Sequence, residues 1–374
     1  MSSLIYIFSF LFVLSIVVVV HEFGHFWVAR RCGVEVVAFS LGFGKKLFSR
    51  KDKKGTEWRV CAVPFGGYVQ MLGDTDVASS KSSDEGLTEE QKKHTFMAQS
   101  LWKKALIIFA GPFMNYLFAV LLLTGVLMLK GTVHMPAFVG EIAKDSPAEK
   151  YGMQVGDEIK RINGKDVMDF HALQRALFHI DSGEEMLVSV IRNGKNIDLV
   201  FEPEEKGKMR RLGILSDVTK ATMKEPEPFL KALYLSCQMA WQMTTDTLFY
   251  LKQVLTGRRS ADDMRGPLGI AEASGDAARQ GGFALLFFII QISISIGFIN
   301  LLPIPLLDGG HLATYAIEGV IRRPVPAKFQ TICLNIGMAL LLFVFVFTLY
   351  KDVPRIYERI FSKNAPKTQE EGSK

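Results

Sequence analysis

The chain has 374 residues, of which 49% are hydrophobic and 11% aromatic, and its formal net charge is +6. With a mean hydropathy of +0.20, this composition points to an integral membrane protein. The positive charge lies beside apolar segments, where it sets membrane orientation, so no nucleic-acid partner is expected.

From Leu4 to Val20 there is no charged residue, and the apolar run then meets His21-Glu22-Phe23-Gly24-His25. Residues four apart share a helix face, so His21 and His25 point the same way. This is the H-E-x-x-H spacing, in which two histidines bind zinc and the glutamate serves as general base. A polar helix end is the plainer alternative. An ionisable group at bilayer depth costs about 2.5–3.5 kcal/mol, which weighs against an idle one. The run lacks a positive leader and a small-residue cleavage site, so a retained first span over about Leu4–Ala29 is expected. Arg30, Arg31, Lys45, Lys46, Arg50, Lys51, Lys53 and Lys54 follow, against Glu35 and Asp52 alone. The positive-inside rule puts this side in the cytoplasm.

Residues 34–73 alternate apolar and polar positions between glycines, which predicts strands at Val34–Val37 and Trp58–Val63. Gly42, Gly44, Gly66 and Gly67 sit where another backbone could approach closely. An ordinary hairpin on the membrane face explains the stretch equally well by itself. A polar connector runs from Asp74 to Gln99. The second expected span, about Ala105–Leu129, contains Gly111-Pro112-Phe113-Met114-Asn115, and its proline frees a backbone carbonyl. Asn115 reads either as an interhelical hydrogen-bonding residue or as part of an active-site shell.

Residues 132–203 change to short strands and tight turns, with Asn163-Gly164 and Asn193-Gly194 as hairpin signals and helical spacing from Phe170 to Phe178. They predict a soluble α+β module inserted between spans. Phe229–Leu255 is apolar but interrupted by Lys231, Asp246 and Lys252. For the last motif to return to the side of His21, this segment must not cross, so it is expected on the outer membrane surface.

The third span, about Phe283–Leu302, ends in Asn300-Leu301-Leu302-Pro303-Ile304-Pro305-Leu306-Leu307-Asp308-Gly309-Gly310-His311. Two prolines open the backbone, and open backbone at membrane depth implies a cavity or protein contact. Catalytic zinc commonly takes three protein ligands. Asp308 is the preferred third donor, with helix capping as its structural alternative and His311 as a rival ligand. A fourth span over about Thr331–Tyr350 and a polar tail from Asn364 complete the chain. Cys32, Cys61, Cys237 and Cys333 are scattered and imply no disulfide framework.

Taken together these motifs resemble the site-2 proteases, intramembrane zinc metalloproteases, and most closely the regulator of sigma-E protease type. The resemblance rests on the His21–His25 motif, Phe39–Gly44, Pro64–Val69, Ala110–Asn115 and Asn300-x-x-Pro-x-Pro-x-x-Asp308-Gly309. The Gly152–Ile159 and Ile162–Val167 segments of the inserted module are similar to a bacterial PDZ domain. The resemblance implies a polytopic α-helical membrane protein of about four spans with a membrane-associated β-structure and one α+β PDZ domain. The domain expectation is 1–131, 132–215 (PDZ), 216–282 (surface helices and connector), 283–350 and 351–374.

By the same resemblance, Zn2+ is held by His21, His25 and Asp308, and Glu22 is catalytic. Substrate contacts fall to Asn300, Gly42, Gly44, Gly66, Gly67 and Asn115. Substrates are expected to be single-span membrane proteins in the bacterial inner membrane, with the PDZ domain outside taking a peptide end and the active site toward the cytoplasm. Some members carry tandem PDZ domains, and this chain has one. A catalytically silent PDZ-bearing adaptor is the alternative of another class, disfavoured by an intact Glu22 and ligand set.

Overall fold

Four long helices are apolar, because a long uncharged run can satisfy its backbone polar groups in lipid only by helical hydrogen bonding. The computed structural model describes residues 2–73, 86–131, 133–180, 183–202, 212–220, 222–223, 225–257 and 266–362. The expected connector around Ser79–Ser83 and the tail from Asn364 lie outside the described residues. The chain divides into two units, residues 1–120 with 264–374, and residues 121–263.

The first unit begins with α1 (Ser2–Arg31). It stops where Gly33 adopts φ +87° and the Val34 N–H turns back to the Ala29 carbonyl at 2.9 Å, which satisfies an orphan carbonyl of the last turn. Strands β1 (Val36–Lys51) and β2 (Glu57–Met71) then pair. Residues 38–41 are flanked on both sides by β2: Ala38 opposes both Gln70 and Glu57, and Leu41 opposes both Gly67 and Val60. The hairpin therefore curls over itself. Gly42, at φ +84°, makes the bend, and a Cβ there would meet the Val63 carbonyl oxygen at 2.5 Å.

This β-structure is fastened to α1 by a core of Phe26, Val36, Phe39, Val69 and Met71, with Trp58 packed against it. Arg30 adds hydrogen bonds to Asp52 at 2.6 Å and Thr56 at 2.7 Å. Farther out on the hairpin, Arg59 and Lys46 bind Glu57 and hold its carboxyl down to about 2. The short α2 (Glu89–Lys92) is started by a Thr88–Gln91 capping box. Helix α3 (Leu101–Lys130) carries Pro112 within it.

The second unit takes in the end of α3. It continues through β3 (Val133–His134), β4 (Val139–Ile142), α4 (Pro147–Lys150), β5 (Glu158–Ile162), β6 (Lys165–Asp166), α5 (Phe170–Phe178), β7 (Met186–Arg192), β8 (Lys195–Phe201), β9 (Ile214–Ser216), β10 (Thr222–Met223) and α6 (Phe229–Leu255). One sheet has the order β6-β5-β7-β8, and the pairs β4-β9 and β3-β10 stand apart from it. Met186, Val188 and Val190 alternate inward from β7. Leu173 and Leu177, one turn apart on α5, close the same core.

Both Asn-Gly pairs make the expected tight turns, with positive φ at Asn163, Gly164, Asn193 and Gly194. Asp157 is buried in a bidentate pair with Arg192, both contacts at 2.7 Å. On α6, Phe249 and Tyr250 pack against Phe178, and Asp246 meets His179 at 3.2 Å. The opposite face leaves Leu230, Tyr234, Trp241, Leu248 and Leu255 exposed in one stripe.

Returning to the first unit, α7 (Pro267–Gln280) occupies a stretch expected as a connector. Pro267 suits the first helical position. Asp352 supplies the missing cap from a distant helix, accepting from Gly269 N at 2.9 Å and Gly266 N at 3.3 Å. Tyr6 of α1 donates to Asp276 at 3.0 Å and lies flat on Gly275, where a Cβ would come within 2.0 Å of its ring. Then follow α8 (Gly282–Leu301), α9 (Asp308–Ile321) and α10 (Ala327–Ser362).

Among the described residues, four helical segments are long and apolar enough to cross a membrane: Leu4–Arg31, Leu101–Lys130, Gly282–Leu301 and Lys328–Val353. At 27 residues α6 has the length but not the apolarity to join them.

Candidate metal centre

His21 and His25 lie on one face of α1, both buried, with ring centroids 4.8 Å apart. Their Nε2 atoms are 3.2 Å from each other. Asp308 Oδ2 lies 3.1 Å from His21 Nε2 and 3.6 Å from His25 Nε2. A tetrahedral zinc with bonds near 2.0–2.1 Å separates its donors by about 3.3–3.4 Å, so the three atoms are spaced as corners around such an ion. Among the described residues these three are the group of His, Cys, Asp and Glu side chains able to hold a metal. Asp308 Oδ2 is buried without a well-formed hydrogen bond, as expected of an oxygen kept for a ligand.

Glycines bring the three ligands together. At Gly24 a Cβ would lie 2.2 Å from the Ala110 carbonyl oxygen, and at Gly111 one would lie 2.3 Å from His25 Nε2. Helices α1 and α3 thus touch backbone to backbone beside the histidines. There the Ile107 carbonyl accepts from His25 Nδ1 at 2.9 Å, which leaves His25 Nε2 free for the ion. The Pro303–Leu307 loop includes Leu306 at φ +80°, a costly conformation for a bulky residue. Gly309 and Gly310 then let the start of α9 press on the carbonyls of Leu301, Leu302 and Ile304. Asp308 arrives at the imidazoles as a result. It does not cap α9; Leu307 holds that position without a side-chain bond.

Glu22 projects beside the same site, next to His21 on α1 and facing β2. Gly67 is the nearest hairpin glycine, and a Cβ there would lie 3.5 Å from Glu22 Cγ and 2.7 Å from the Ser40 carbonyl oxygen. Gly66 packs under the Phe43 ring, while Gly42 and Gly44 shape the hairpin bend at positive φ. Asn300 is the penultimate residue of α8 and is partly buried. Asn115 is fully buried, with its Nδ2 3.3 Å from His21 Nδ1. His311 stands outside the ligand trio, one turn into α9 with its ring 6.5 Å from that of Tyr315. Sequence reasoning passed over Gly24 and the Ile107 carbonyl. The one trace of their roles is the small residue between the two histidines.

Peptidase family M50 matches residues 9–344. The chain belongs to that family, the site-2 proteases. As a member it is a metalloprotease. It is 37% identical over 357 residues to a Rhizobium meliloti protein named "Putative zinc metalloprotease", covering 92% of this chain and 95% of the relative. An Agrobacterium fabrum protein of the same description is 36% identical over 361 residues, covering 93% and 95%. Metalloprotease MmpA of Caulobacter vibrioides is 34% identical over 390 residues, covering 94% and 96%.

Proposed function

We propose that the protein is a zinc-dependent intramembrane endopeptidase that cleaves the membrane segments of single-span proteins in regulated intramembrane proteolysis. Trimmed anti-sigma-factor-like proteins and remnant signal peptides are the expected substrates. The observation that carries this reading is the meeting of His21 and His25 with Asp308, from opposite ends of the chain, beside Glu22. The relatives' zinc metalloprotease names agree with it.

His21, His25 and Asp308 hold the metal in this reading. When bound, zinc supplies a Lewis acid for the scissile carbonyl and makes water acidic enough to deprotonate near neutral pH. Glu22 takes that proton and delivers it to the leaving amine, a role requiring hydrogen-bond reach of both.

A helical substrate must unwind to expose a carbonyl, and its freed backbone groups then need partners. The hairpin offers strand edges for such pairing, with Gly42, Gly44, Gly66 and Gly67 keeping side chains out of the way, and Asn300 helps to hold the substrate. The inserted α+β module acts as a PDZ domain that takes a newly cut peptide end or excludes uncut substrates.

Its place is the bacterial inner membrane, with that module outside and the metal centre toward the basic, cytoplasmic side. Helix α6 lies on the outer surface. Its exposed apolar stripe supports this, as does the hydrogen bond from Glu227 N to Leu127 O, 3.1 Å, at the end of the second span.

The test is cleavage of a single-span substrate by purified protein. Glu22→Gln is expected to abolish cleavage, a loss of at least ~100-fold, while zinc stays bound. Wild-type cleavage by that variant would overturn the mechanism.

A further inference from the structure

Asn115 has no exposed surface, and hydrolysis by Glu22 and the metal calls for no amide at its position. Its Nδ2 faces His21 Nδ1 at 3.3 Å and its Oδ1 is buried without a partner. The oxygen and nitrogen of a side-chain amide are assigned by their neighbours, and the neighbour here decides the matter. His21 turns Nε2 toward Asp308 and His25, so a metal on Nε2 leaves the ring proton on Nδ1. An Nδ1–H needs an acceptor. Rotating the amide puts Oδ1 at that distance and ends the donor-to-donor contact.

The surroundings treat the two histidines alike. Ile107, Gly111 and Asn115 stand at successive i, i+4 positions on one face of α3. The first accepts from His25 Nδ1, the second admits the rings, and the third meets His21 Nδ1. From the far side, Ser293 of α8 donates to the Asn115 carbonyl at 3.0 Å. A Cβ at Gly297 would come within 3.2 Å of Asn115 Cβ. The amide is wedged between the metal-binding helix and the third span.

We propose that Asn115 is a positioning residue for the metal centre: its Oδ1 accepts the His21 Nδ1–H and holds Nε2 on the ion. This rests on the reading of His21 as a zinc ligand. Such partners of metal-bound histidines are worth about 10–100-fold in metal affinity.

The experiment measures zinc affinity of the purified full-length chain by competition with a chelator, alongside kcat and KM for a single-span substrate. Asn115→Leu is expected to weaken zinc by about 10–100-fold with KM unchanged, and Asn115→Ala serves if leucine prevents folding. Asn115→Asp is expected to keep wild-type zinc affinity, because a carboxylate accepts the same proton. Wild-type zinc affinity with a raised KM in Asn115→Leu would overturn the proposal in favour of substrate binding. Equal zinc loss in the aspartate and leucine variants would overturn it in favour of packing alone. His21→Ala separates the two readings: if it keeps zinc, the metal-site reading itself fails; if it loses zinc, the Asn115 outcomes stand by themselves.

Discussion

A Cβ at Gly111 would lie 2.3 Å from His25 Nε2 and 2.9 Å from His21 Cε1, so even the smallest side chain there must displace an imidazole. Misplacing a reacting group by about 1 Å can cost on the order of 100-fold in rate. Gly111→Ala is therefore expected to lower peptide cleavage by about 100-fold or more and to weaken zinc. Gly125→Ala on the same helix, with open space around it, is expected to leave both unchanged. Activity and metal content measured on the two variants check this, and an active, zinc-replete Gly111→Ala chain would contradict it.

The His21–His25 pair could be read from the sequence because both lie on one helix, where spacing alone decides direction. Asp308 could be read because Pro303 and Pro305 forbid regular helix before it. Asn115 was readable only as a choice between an interhelical contact and an active-site shell, and Gly111 carried no signal of its part. Their parts depend on which helix lies alongside, and local spacing does not encode that register.

Helix α6 presents two distinct faces. Tyr234, Trp241, Leu248 and Leu255 recur every seven residues and are exposed, while Asp246, Phe249 and Tyr250 on another face pack against the end of α5. A helix of this kind suits a membrane surface, its aromatic rings at headgroup level. In a chain otherwise free of cysteine, Gln238→Cys is expected to react with an impermeant maleimide from outside the inner membrane. Labelling from the cytoplasmic side alone would contradict that placement.

The hairpin was legible from its alternation, but its curl was not. Residues 38–41 acquire partners on both sides through tertiary pairing made possible by bends at glycine. Helix α7 was missed altogether. Ala271, Ala273, Ser274, Gly275 and Ala277 have no apolar period; Gly275 lies against Tyr6 and Ser274 meets Ser9, both on α1, and the cap comes from Asp352 on α10.

For the molecule as a whole, distant parts of the sequence meet at the candidate metal centre: α1 brings two potential ligands and α9 a third, more than 280 residues later. Four apolar helices would give a low-dielectric surrounding in a bilayer, where unpaired charge is expensive and a cation, when bound, would balance the Asp308 carboxylate. The four apolar helices and the presence of strands between them were readable from composition shifts, since apolar and polar stretches differ in residue type.

The central claim is that this shared site binds zinc and is incomplete without Asp308. Its most direct test is metal content of the purified chain, wild type beside Asp308→Ala, after dialysis against a weak chelator. The wild type is expected to retain about one zinc per chain, and the variant to lose it. Wild-type zinc affinity in Asp308→Ala would contradict the account and place the third ligand elsewhere.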